Sequence, residues 1–442
     1  MAQPQTIFAL SSAPGRAGVA VVRISGPQAG VVLDTMAPPR SPDRVAALRR
    51  IRAPDSGDVL DEALVLWLAA PRTETGEDMA ELHLHGSPAI VKAVLATLGR
   101  IADCRLAEPG EFARRAFEHG KLDLAQVEGL ADLIEAETEA QRYQALAQMR
   151  GALSDLYEGW RHDLLEASAL MAAAIDFSDE GDVAGDAAER AYGIARELAA
   201  QITAHLDDQH RGEILRDGFR VVLAGPPNAG KSSLLNALAR REAAIVSEEA
   251  GTTRDVLEVR LDLDGLPVIV TDTAGIRETD GAVEKEGVRR ALAHAREADL
   301  VLWLSDATAG PTEPAPDILA RGHKFFLQVA TKIDIPGTAP GPLLGISSKT
   351  GVGIPELIAR VTEAARTRIG DMQSPAITHE RHRNSLQQAL IALQAFISLP
   401  ASEHELRAED LRQAAHALGR ITGRVDVEEV LGEIFARFCI GK

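Results

Sequence analysis

A glycine-containing loop, Gly225–Ser232, constrains the fold of this chain more than any other sequence feature. It reads Gly-Pro-Pro-Asn-Ala-Gly-Lys-Ser, follows the mostly apolar run Phe219–Ala224 and leads into a helix-like segment from Ser233. A strand, a loop and a helix in this order form the phosphate-binding unit of nucleotide-binding α/β domains. Gly225 and Gly230 let backbone N–H groups approach phosphate oxygens without interference from a Cβ. The sequence therefore predicts an α/β domain that binds a nucleotide.

Two side chains at the end of this loop carry the chemistry of phosphate binding. Lys231 supplies a positive charge to the outer phosphates and is counted among the catalytic candidates, and Ser232 supplies a hydroxyl for Mg²⁺. The helix that begins here adds the partial positive charge of its N-terminus. Further predicted contacts to the nucleotide are Asn228, Ala229, Gly230 and Ser233.

Two later segments supply groups for the metal and the γ-phosphate. Asp272-Thr273-Ala274-Gly275 follows the strand-like run Leu266–Val270 and offers a carboxylate for the second shell of the metal and a backbone N–H for the γ-phosphate. Gly251-Thr252-Thr253-Arg254-Asp255 lies between this segment and the loop, and Thr253 is predicted to complete the Mg²⁺ shell. Hydroxyl and carboxylate oxygens are the ligands that Mg²⁺ prefers.

The last two segments identify the base. Thr331-Lys332-Ile333-Asp334 ends the apolar run Phe325–Ala330, and Asp334 is placed to accept from N1–H and N2–H₂ of guanine, which adenine does not offer. Ser347-Ser348-Lys349 ends the next, shorter run. Five elements in this order indicate GTP and resemble the Ras-like GTPase superfamily. Thr331 stands where that pattern has Asn, so we expect weak binding of guanine.

Composition limits the class of protein. The chain has 442 residues, enough for two or three domains, and its 47 basic and 65 acidic residues give a net charge of −18. That charge opposes non-specific binding of nucleic acid, so RNA must be met by a local basic patch or through a partner. No apolar stretch suggests a membrane span, Met1–Gln5 has no signal-peptide character, and two distant cysteines suit a reducing cytoplasm.

Periodicity divides the chain into four segments. Residues 1–120 alternate short apolar runs with a helical stretch, residues 121–215 are helical, residues 216–374 hold the nucleotide motifs, and residues 375–442 are helical again. Because each flanking helical segment is amphipathic and needs a partner, the simplest arrangement is one discontinuous helical domain into which the GTPase domain is inserted. Two unrelated helical pieces are the alternative.

The motifs outside the GTPase segment are more specific. With the inserted GTPase domain they resemble one family closely, the tRNA modification GTPases of the MnmE (TrmE) type, over nearly the whole chain. The matching stretches are Pro14-Gly15-Arg16, Val22–Gly26, Gly76-Glu77-Asp78, Glu81–Gly86, Pro109–Phe112, Lys121–Gln126 and the tail Phe438-Cys439-Ile440-Gly441-Lys442.

The resemblance implies a cytoplasmic enzyme that acts with a flavin-dependent partner, MnmG. Together they would build an aminomethyl or carboxymethylaminomethyl group on C5 of the wobble uridine of certain tRNAs. A folate such as 5-formyltetrahydrofolate, bound to the N-terminal domain, would donate one carbon. The N-terminal domains would form a homodimer, and K⁺ would promote contact between the two GTPase domains.

The family's folate-binding residues carry over to Arg23, Glu81, Lys121 and Lys442. A glutamate can accept from the N–H groups of a pterin, and Arg or Lys can hold the folate carboxylates. Without the family, each would be interpreted as a surface charge. His83 and His85 alternate along an apparent strand like a metal pair, but the sequence offers no third ligand.

The resemblance also implies how GTP is cut. Ras-like enzymes orient the attacking water with a glutamine just after Asp-x-x-Gly; here that position is Ile276, which has no polar group. In the family K⁺ offsets the developing charge, and a glutamate, here Glu284, acts through a bridging water; Glu284 alone would be an ordinary helix-start carboxylate. Asn228 and Glu284 are therefore catalytic candidates. The implied K⁺ ligands are Asn228, Ser247, Glu249 and Thr252, and the implied switch contacts to GTP are Ser247, Glu248, Glu249, Ala250, Gly251, Thr252 and Thr253.

Two other functions compete with a tRNA-modifying GTPase. A ribosome-assembly GTPase would need an RNA-binding unit after the GTPase segment, but that region has a helical pattern and Ala401–Asp410 is acidic. A nucleotide-gated scaffold without chemistry of its own is the other alternative. Binding of folate separates the first hypothesis from both.

Overall fold

The computed structural model describes residues 5–177, 181–241, 243–245, 258–272, 298–313, 325–370, 375–425, 428–436 and 438–441. The chain divides into two compact units. We call Met1–Ala131 with Gly419–Lys442 the terminal unit, and Asp132–Leu418 the central unit. Both ends of the chain thus belong to one unit.

A six-stranded sheet forms the base of the terminal unit. Its strands are β1 (Thr6–Leu10), β2 (Val19–Ser25), β3 (Ala47–Arg52), β4 (Val59–Leu68), β5 (Met79–His85) and β6 (Cys104–Leu106), in the order β3-β4-β5-β2-β1-β6. β6 joins β1 in parallel, and the other pairs are antiparallel. Along β4, Ala63, Val65 and Trp67 are buried while Glu62 and Leu64 are exposed, because alternate side chains point to opposite faces.

Helices pack on both faces of this sheet. They are α1 (Ala29–Met36), α2 (Pro88–Leu98), α3 (Glu111–Glu118), α4 (Leu124–Glu135), which begins in this unit, and α13 (Glu428–Ala436). Leu33 of α1 and Leu98 of α2 pack with Val22 and Leu82 of the sheet in one apolar core. A second cluster joins α13 to α3 and α4 through Phe435, so the C-terminal helix completes this unit.

The central unit contains a second six-stranded sheet. Its strands are β7 (Phe219–Ala224), β8 (Glu258–Leu263), β9 (Leu266–Asp272), β10 (Leu300–Asp306), β11 (Phe325–Thr331) and β12 (Leu344–Gly345), in the order β12-β11-β10-β7-β9-β8. β8 is antiparallel to β9, and the remaining pairs are parallel. The carboxyl ends of the parallel strands therefore meet at one edge, where open α/β sheets bind ligands.

Helices within the GTPase segment and on both sides of it complete the central unit. They are α5 (Glu139–Met149), α6 (Ala152–Asp176), α7 (Gly181–Leu206), α8 (Arg211–Asp217), α9 (Lys231–Ala239), α10 (Ile354–Ile369), α11 (Glu380–Ser398) and α12 (His404–Thr422), which begins here. α11, which follows the GTPase segment, packs against α7, which precedes it. A helix after the GTPase segment and a helix before it are therefore in contact. Among the described residues, no helix has the length and apolar character required to cross a membrane.

Candidate functional sites

The phosphate loop begins where β7 ends. Gly225 has φ +145°, and a Cβ there would stand 2.3 Å from Leu304 O, so only glycine fits. Asn228 is exposed with φ +60°, and Gly230, with φ +92°, precedes the first turn of α9. The loop thus turns on left-handed residues and delivers the helix N-terminus to the edge of the sheet.

Lys231 and Ser232 open α9 in two different environments. Lys231 is 8% exposed, and its Nζ donates to Gly225 O at 2.9 Å and to Pro226 O at 3.0 Å, so the ammonium lies across the loop. Ser232 Oγ donates to Oδ2 of the buried Asp272 at 2.5 Å. Two oxygen groups predicted to serve the same Mg²⁺ therefore lie together at the ends of α9 and β9, and both are of the kind this hard cation prefers.

The side chains predicted to bind the base follow the ends of β11 and β12. Asp334 is exposed, and its Oδ1 accepts from Oγ of the buried Ser347 at 2.7 Å. The amide N of Thr350 in turn donates to Ser347 Oγ at 3.1 Å, which fixes the hydroxyl. Ser347 therefore orients the carboxylate, while Ser348 and Lys349 continue the same turn.

Thr331, the residue that departs from the usual Asn, is built into this edge. It is 2% exposed, and its Oγ1 lies 2.8 Å from Ala229 O in the phosphate loop and 3.2 Å from Ser305 O at the end of β10. A threonine hydroxyl has one proton, so it satisfies these two carbonyls less well than the two N–H donors of an amide. The threonine nevertheless keeps β11 connected to the phosphate loop.

Twelve predicted site residues lie outside the described residues. They are Ser247, Glu248, Glu249, Ala250, Gly251, Thr252, Thr253, Thr273, Ala274, Gly275, Glu284 and Lys442.

A second set of predicted residues meets on the sheet of the terminal unit. Arg23 of β2 and Glu81 of β5 are directly opposite in the antiparallel ladder, and Arg23 Nε lies 3.2 Å from Glu81 Oε1. The guanidinium carbon of Arg23 lies 6.0 Å from the centre of the Phe112 ring. Two of the predicted folate residues are therefore neighbours although 58 positions separate them.

Sequence reasoning missed one member of this cluster, Glu74. It considered another, His83, only as half of a metal pair that had no third ligand. Glu74 Oε2 lies 2.7 Å from Arg23 Nη1, so Arg23 is shared by two carboxylates. His83 Nε2 lies 3.2 Å from Glu81 Oε2, on the same face of β5, while His85 is paired with Asp61. The period-two spacing of Glu81 and His83 is the signal that places them together.

Lys121 lies beside the loop that carries Glu74, and the C-terminal tail lies beside the end of β1. A Cβ on Gly76, whose φ is +82°, would stand 2.8 Å from His119 Cβ and 3.4 Å from Lys121 Cε, so the loop carrying Glu74 passes beside Lys121. Gly441 accepts from Ser11 Oγ through its carbonyl at 2.8 Å, and a Cβ on it would stand 2.2 Å from Leu10 O. The tail therefore ends beside β1, which pairs with β2.

A buried ionic network holds the Glu74 loop in place. Arg115 of α3, 8% exposed, donates to Glu77 Oε2 at 2.8 Å and to Glu111 Oε1 at 3.0 Å, and Arg105 also pairs with Glu111. Ser25 Oγ donates to Glu77 Oε2 at 2.7 Å. Burial of Glu111 disfavours its charged form, but the hydrogen bonds from Arg105, the Glu108 amide and Arg115 outweigh burial and lower its pKa.

These two arrangements define the class of protein. A phosphate loop between a parallel strand and a helix, followed by a carboxylate predicted to lie near the metal and an aspartate predicted to bind guanine, is typical of a P-loop GTPase, here with a separate N-terminal α/β unit. The chain matches the family models described as "GTP-binding protein TrmE N-terminus" over residues 6–121 and "MnmE helical domain" over residues 124–439.

Relatives extend this likeness over the full length. The chain is 50% identical to the tRNA modification GTPase MnmE of Rhodopseudomonas palustris and 53% identical to that of Azorhizobium caulinodans, covering 99% of this chain and 99% of each relative. The chain therefore belongs to the MnmE (TrmE) family of tRNA modification GTPases, and it is a GTP hydrolase.

Solved structures resemble only part of the chain. Aquifex aeolicus Era bound to GDP and aluminium fluoride is 24% identical with a TM-score of 0.27, covering 39% of this chain and 66% of Era. The G domain of the T. maritima FeoB iron transporter is 25% identical with a TM-score of 0.24, covering 33% of this chain and 98% of that domain. These scores are too low for an argument about function.

Proposed function

We propose that this chain is a K⁺-dependent GTPase that works with a flavin protein of the MnmG type on C5 of the wobble uridine of tRNA. The added group is carboxymethylaminomethyl or aminomethyl, and a folate such as 5-formyltetrahydrofolate supplies one carbon. The observation that carries this proposal is the likeness of the whole chain to tRNA modification GTPases, whose N-terminal motifs here gather around the Arg23–Glu81 pair.

In the central unit, each described side chain takes one role toward GTP. Lys231 moves from the loop carbonyls to the outer phosphates, because a phosphate is a stronger acceptor for an ammonium than a neutral carbonyl. Ser232 and Thr253 would hold Mg²⁺, with Asp272 in its second shell through Ser232, and that ion would neutralise charge on the β- and γ-phosphates. Asp334, oriented by Ser347, reads guanine.

K⁺ would take the place of the arginine finger that stabilises transition-state charge in other GTPases. Asn228 sits exposed at the left-handed corner of the phosphate loop, where its amide oxygen can face the cation. Ser247, Glu249 and Thr252 would complete the K⁺ site, and Glu284 would act on the attacking water through a bridging water. The apolar Ile276 at the usual glutamine position supports this division of labour, because it offers no group that orients water.

In the terminal unit, Glu81 would accept from the pterin N–H groups. Arg23 already pairs with Glu74 and Glu81, so on the folate site it would also hold the Glu81 carboxylate in place. Lys121 and Lys442 would then bind the folate carboxylates. The approach of Lys121 to the Glu74 loop supports its membership of this site.

The remaining assignments are proposals about organisation. We propose a cytoplasmic homodimer joined through residues 1–120, with helical segments 121–215 and 375–442 around a GTPase domain of residues 216–374. The net charge of −18 favours tRNA contact through the flavin partner or a local basic patch over contact along the whole surface. The described residues after the GTPase segment, 375–425 and 428–436, are largely helical, which does not favour the RNA-binding unit that a ribosome-assembly GTPase would need.

Mass spectrometry of tRNA nucleosides tests the chemistry. Cells that lack the protein should lose the modified wobble uridine, and the intact gene should restore it while a gene carrying Lys231→Ala should not. Calorimetry with 5-formyltetrahydrofolate tests the cofactor, using Glu81→Gln as the disabled variant and His85→Gln as the matched variant on the same strand. Unchanged nucleosides in the deletion strain would refute the proposed function.

A further inference from the structure

An acidic residue that the nucleotide motifs do not include lies beside the base-reading motif. Asp306 is the last residue of β10, and the parallel register pairs it with Thr331, the residue before Lys332. Ala307 N donates to Thr331 O at 3.0 Å, which fixes the two strand ends against each other. The β10 end therefore brings a carboxylate to the second residue of the guanine motif.

Both carboxylate oxygens of Asp306 accept hydrogen bonds, and they accept them from different residues. Oδ1 accepts from the amide N of Thr308 at 2.9 Å and from Thr308 Oγ1 at 2.7 Å, which fixes the plane of the carboxylate. Oδ2 accepts from Lys332 Nζ at 2.6 Å. The Lys332 ammonium, with smaller help from Thr308, lowers the pKa of Asp306 to about 2, so the carboxylate is charged at neutral pH.

The backbone of Lys332 is shaped for this contact. Its φ is +61°, a left-handed conformation that a non-glycine residue adopts only where the surroundings enforce it. The ammonium is held on β10 while Asp334, two residues later, is held by Ser347. The motif is therefore anchored at two points, and the methylene stem of Lys332 leads to the first of them.

We propose that Asp306 is a positioning residue of the guanine site. By holding the Lys332 ammonium, it lays the four-carbon stem along the face of the base, where such stems commonly cover apolar surface. This inference rests on the proposed contacts of Lys332 and Asp334 with guanine. Its importance is greater in this chain because Thr331 supplies one hydroxyl proton where the usual asparagine supplies two N–H donors.

The test is the dissociation constant of GDP and of GTP for Asp306→Asn in the full chain. We expect both affinities to fall by the same factor, about tenfold, because the lost contact is charge-assisted and acts on the base, which the two nucleotides share. Asp306→Glu should recover part of the loss. A loss confined to GTP would place Asp306 at the γ-phosphate and would overturn the inference.

A second variant asks whether Asp306 acts through Lys332. Lys332→Met keeps an apolar stem and removes the ammonium, so Asp306→Asn should cause no further loss in that background. Additive losses would overturn the inference. The matched control is Asp299→Asn, just before the opposite end of β10, where the carboxylate accepts from the Arg220 amide far from the motif; its GDP affinity should equal that of the parent.

Asp334→Asn separates this inference from the proposal beneath it. If that variant keeps full affinity for guanine nucleotides, the base contact itself is wrong. If it weakens binding while Asp306→Asn does not, only the positioning role fails. Thermal unfolding of each variant identifies a general loss of fold, and a loss of affinity that follows the melting temperature in every variant would also refute a positioning role.

Discussion

The two units assemble their sites by different geometry. In the central unit the site residues follow the ends of parallel strands, so each motif is a short contiguous stretch and backbone turns place its side chains. In the terminal unit, Arg23, Glu74 and Glu81 come from two antiparallel strands and a loop, and they meet through side chains. The first site depends on local sequence, and the second depends on packing between distant segments.

The units also differ in charge. The terminal unit has 18 basic and 20 acidic residues, and the central unit has 29 basic and 45 acidic residues, for net charges of −2 and −16. Most of the repulsion toward a polyanion therefore originates in the central unit. Electrostatic repulsion of an RNA backbone is therefore weaker at the terminal unit, which also carries the proposed one-carbon site.

The largest expected effect comes from the network beneath the terminal site. Arg115→Met leaves Glu77 with a single hydroxyl donor from Ser25 and removes one partner of Glu111, so unfolding of the terminal unit should become easier by about 3 to 5 kcal/mol. Hydrogen exchange in β2 and β5 measures this change. Binding of folate should fall with it while binding of GDP persists; equal losses at both sites would break the comparison.

Mild acid should destabilise the central unit more than the terminal unit. Burial lowers the pKa of His205 in α7 from 6.5 to about 4, so the unfolded state binds more protons between those values. The stability of the central unit is therefore full above pH 6.5 and falls as the pH drops toward 4, by at most about 3 kcal/mol. The lowered pKa of Glu111 acts only near and below 4.5, so the terminal unit should resist milder acid.

Melting curves between pH 7 and pH 4.5 check this order. His205→Gln should flatten the response of the central unit in that interval, since the group that titrates is removed. A parent protein whose central unit melts at the same temperature at pH 7 and pH 5 would contradict the assignment.

The next effect concerns the base. Asp334→Asn replaces an acceptor by a group that presents a donor, so GTP affinity should fall by about 100-fold, the loss of two hydrogen bonds to a charged group. Xanthosine nucleotides should bind the variant better than guanosine nucleotides. Calorimetry with GDP and XDP measures both, and unchanged affinity for GDP would remove Asp334 from the site.

A smaller effect is expected from the monovalent ion. Hydrolysis should be about tenfold faster in K⁺, Rb⁺ or NH₄⁺ than in Na⁺, equivalent to about 1.4 kcal/mol of barrier. Asn228→Ala should abolish this difference while GDP still binds through Lys231 and Ser232. Glu284→Ala should instead keep K⁺-driven association of the GTPase domains and lose turnover. Equal kcat in K⁺ and Na⁺ at matched ionic strength would refute the role of the ion.

The smallest effect tests the unusual threonine. Thr331→Asn offers two donors to Ala229 O and Ser305 O, so GDP affinity should rise by about threefold, the value of one neutral hydrogen bond of about 0.7 kcal/mol. Thr331→Val keeps the shape, removes the only side-chain donor and should weaken binding. If both variants bind GDP like the parent, Thr331 does not connect the strand to the phosphate loop in a way that affects the nucleotide.

Local sequence patterns predict much of the central unit. The apolar run Phe219–Ala224 coincides with β7, and β11 extends the predicted run Phe325–Ala330 by one residue. Buried parallel strands have continuous apolar patterns, and their ligand groups follow at once in the chain. Amphipathic periodicity likewise predicted the helices around the insertion, because one face of each must be buried.

The remaining elements and contacts depend on how distant parts of the chain pack. Strands β1, β3 and β6 and helices α1 and α3 were not predicted as separate elements, because short segments leave little periodic signal. Arg23 and Glu81 were predicted through the family resemblance, but the contact of Glu74 with Arg23 depends on the path of a loop, and that of Asp306 with Lys332 depends on sheet register. Contiguous motifs can be recognised directly in the sequence. Contacts between distant segments depend on strand pairing and loop path, which the order of residues does not specify.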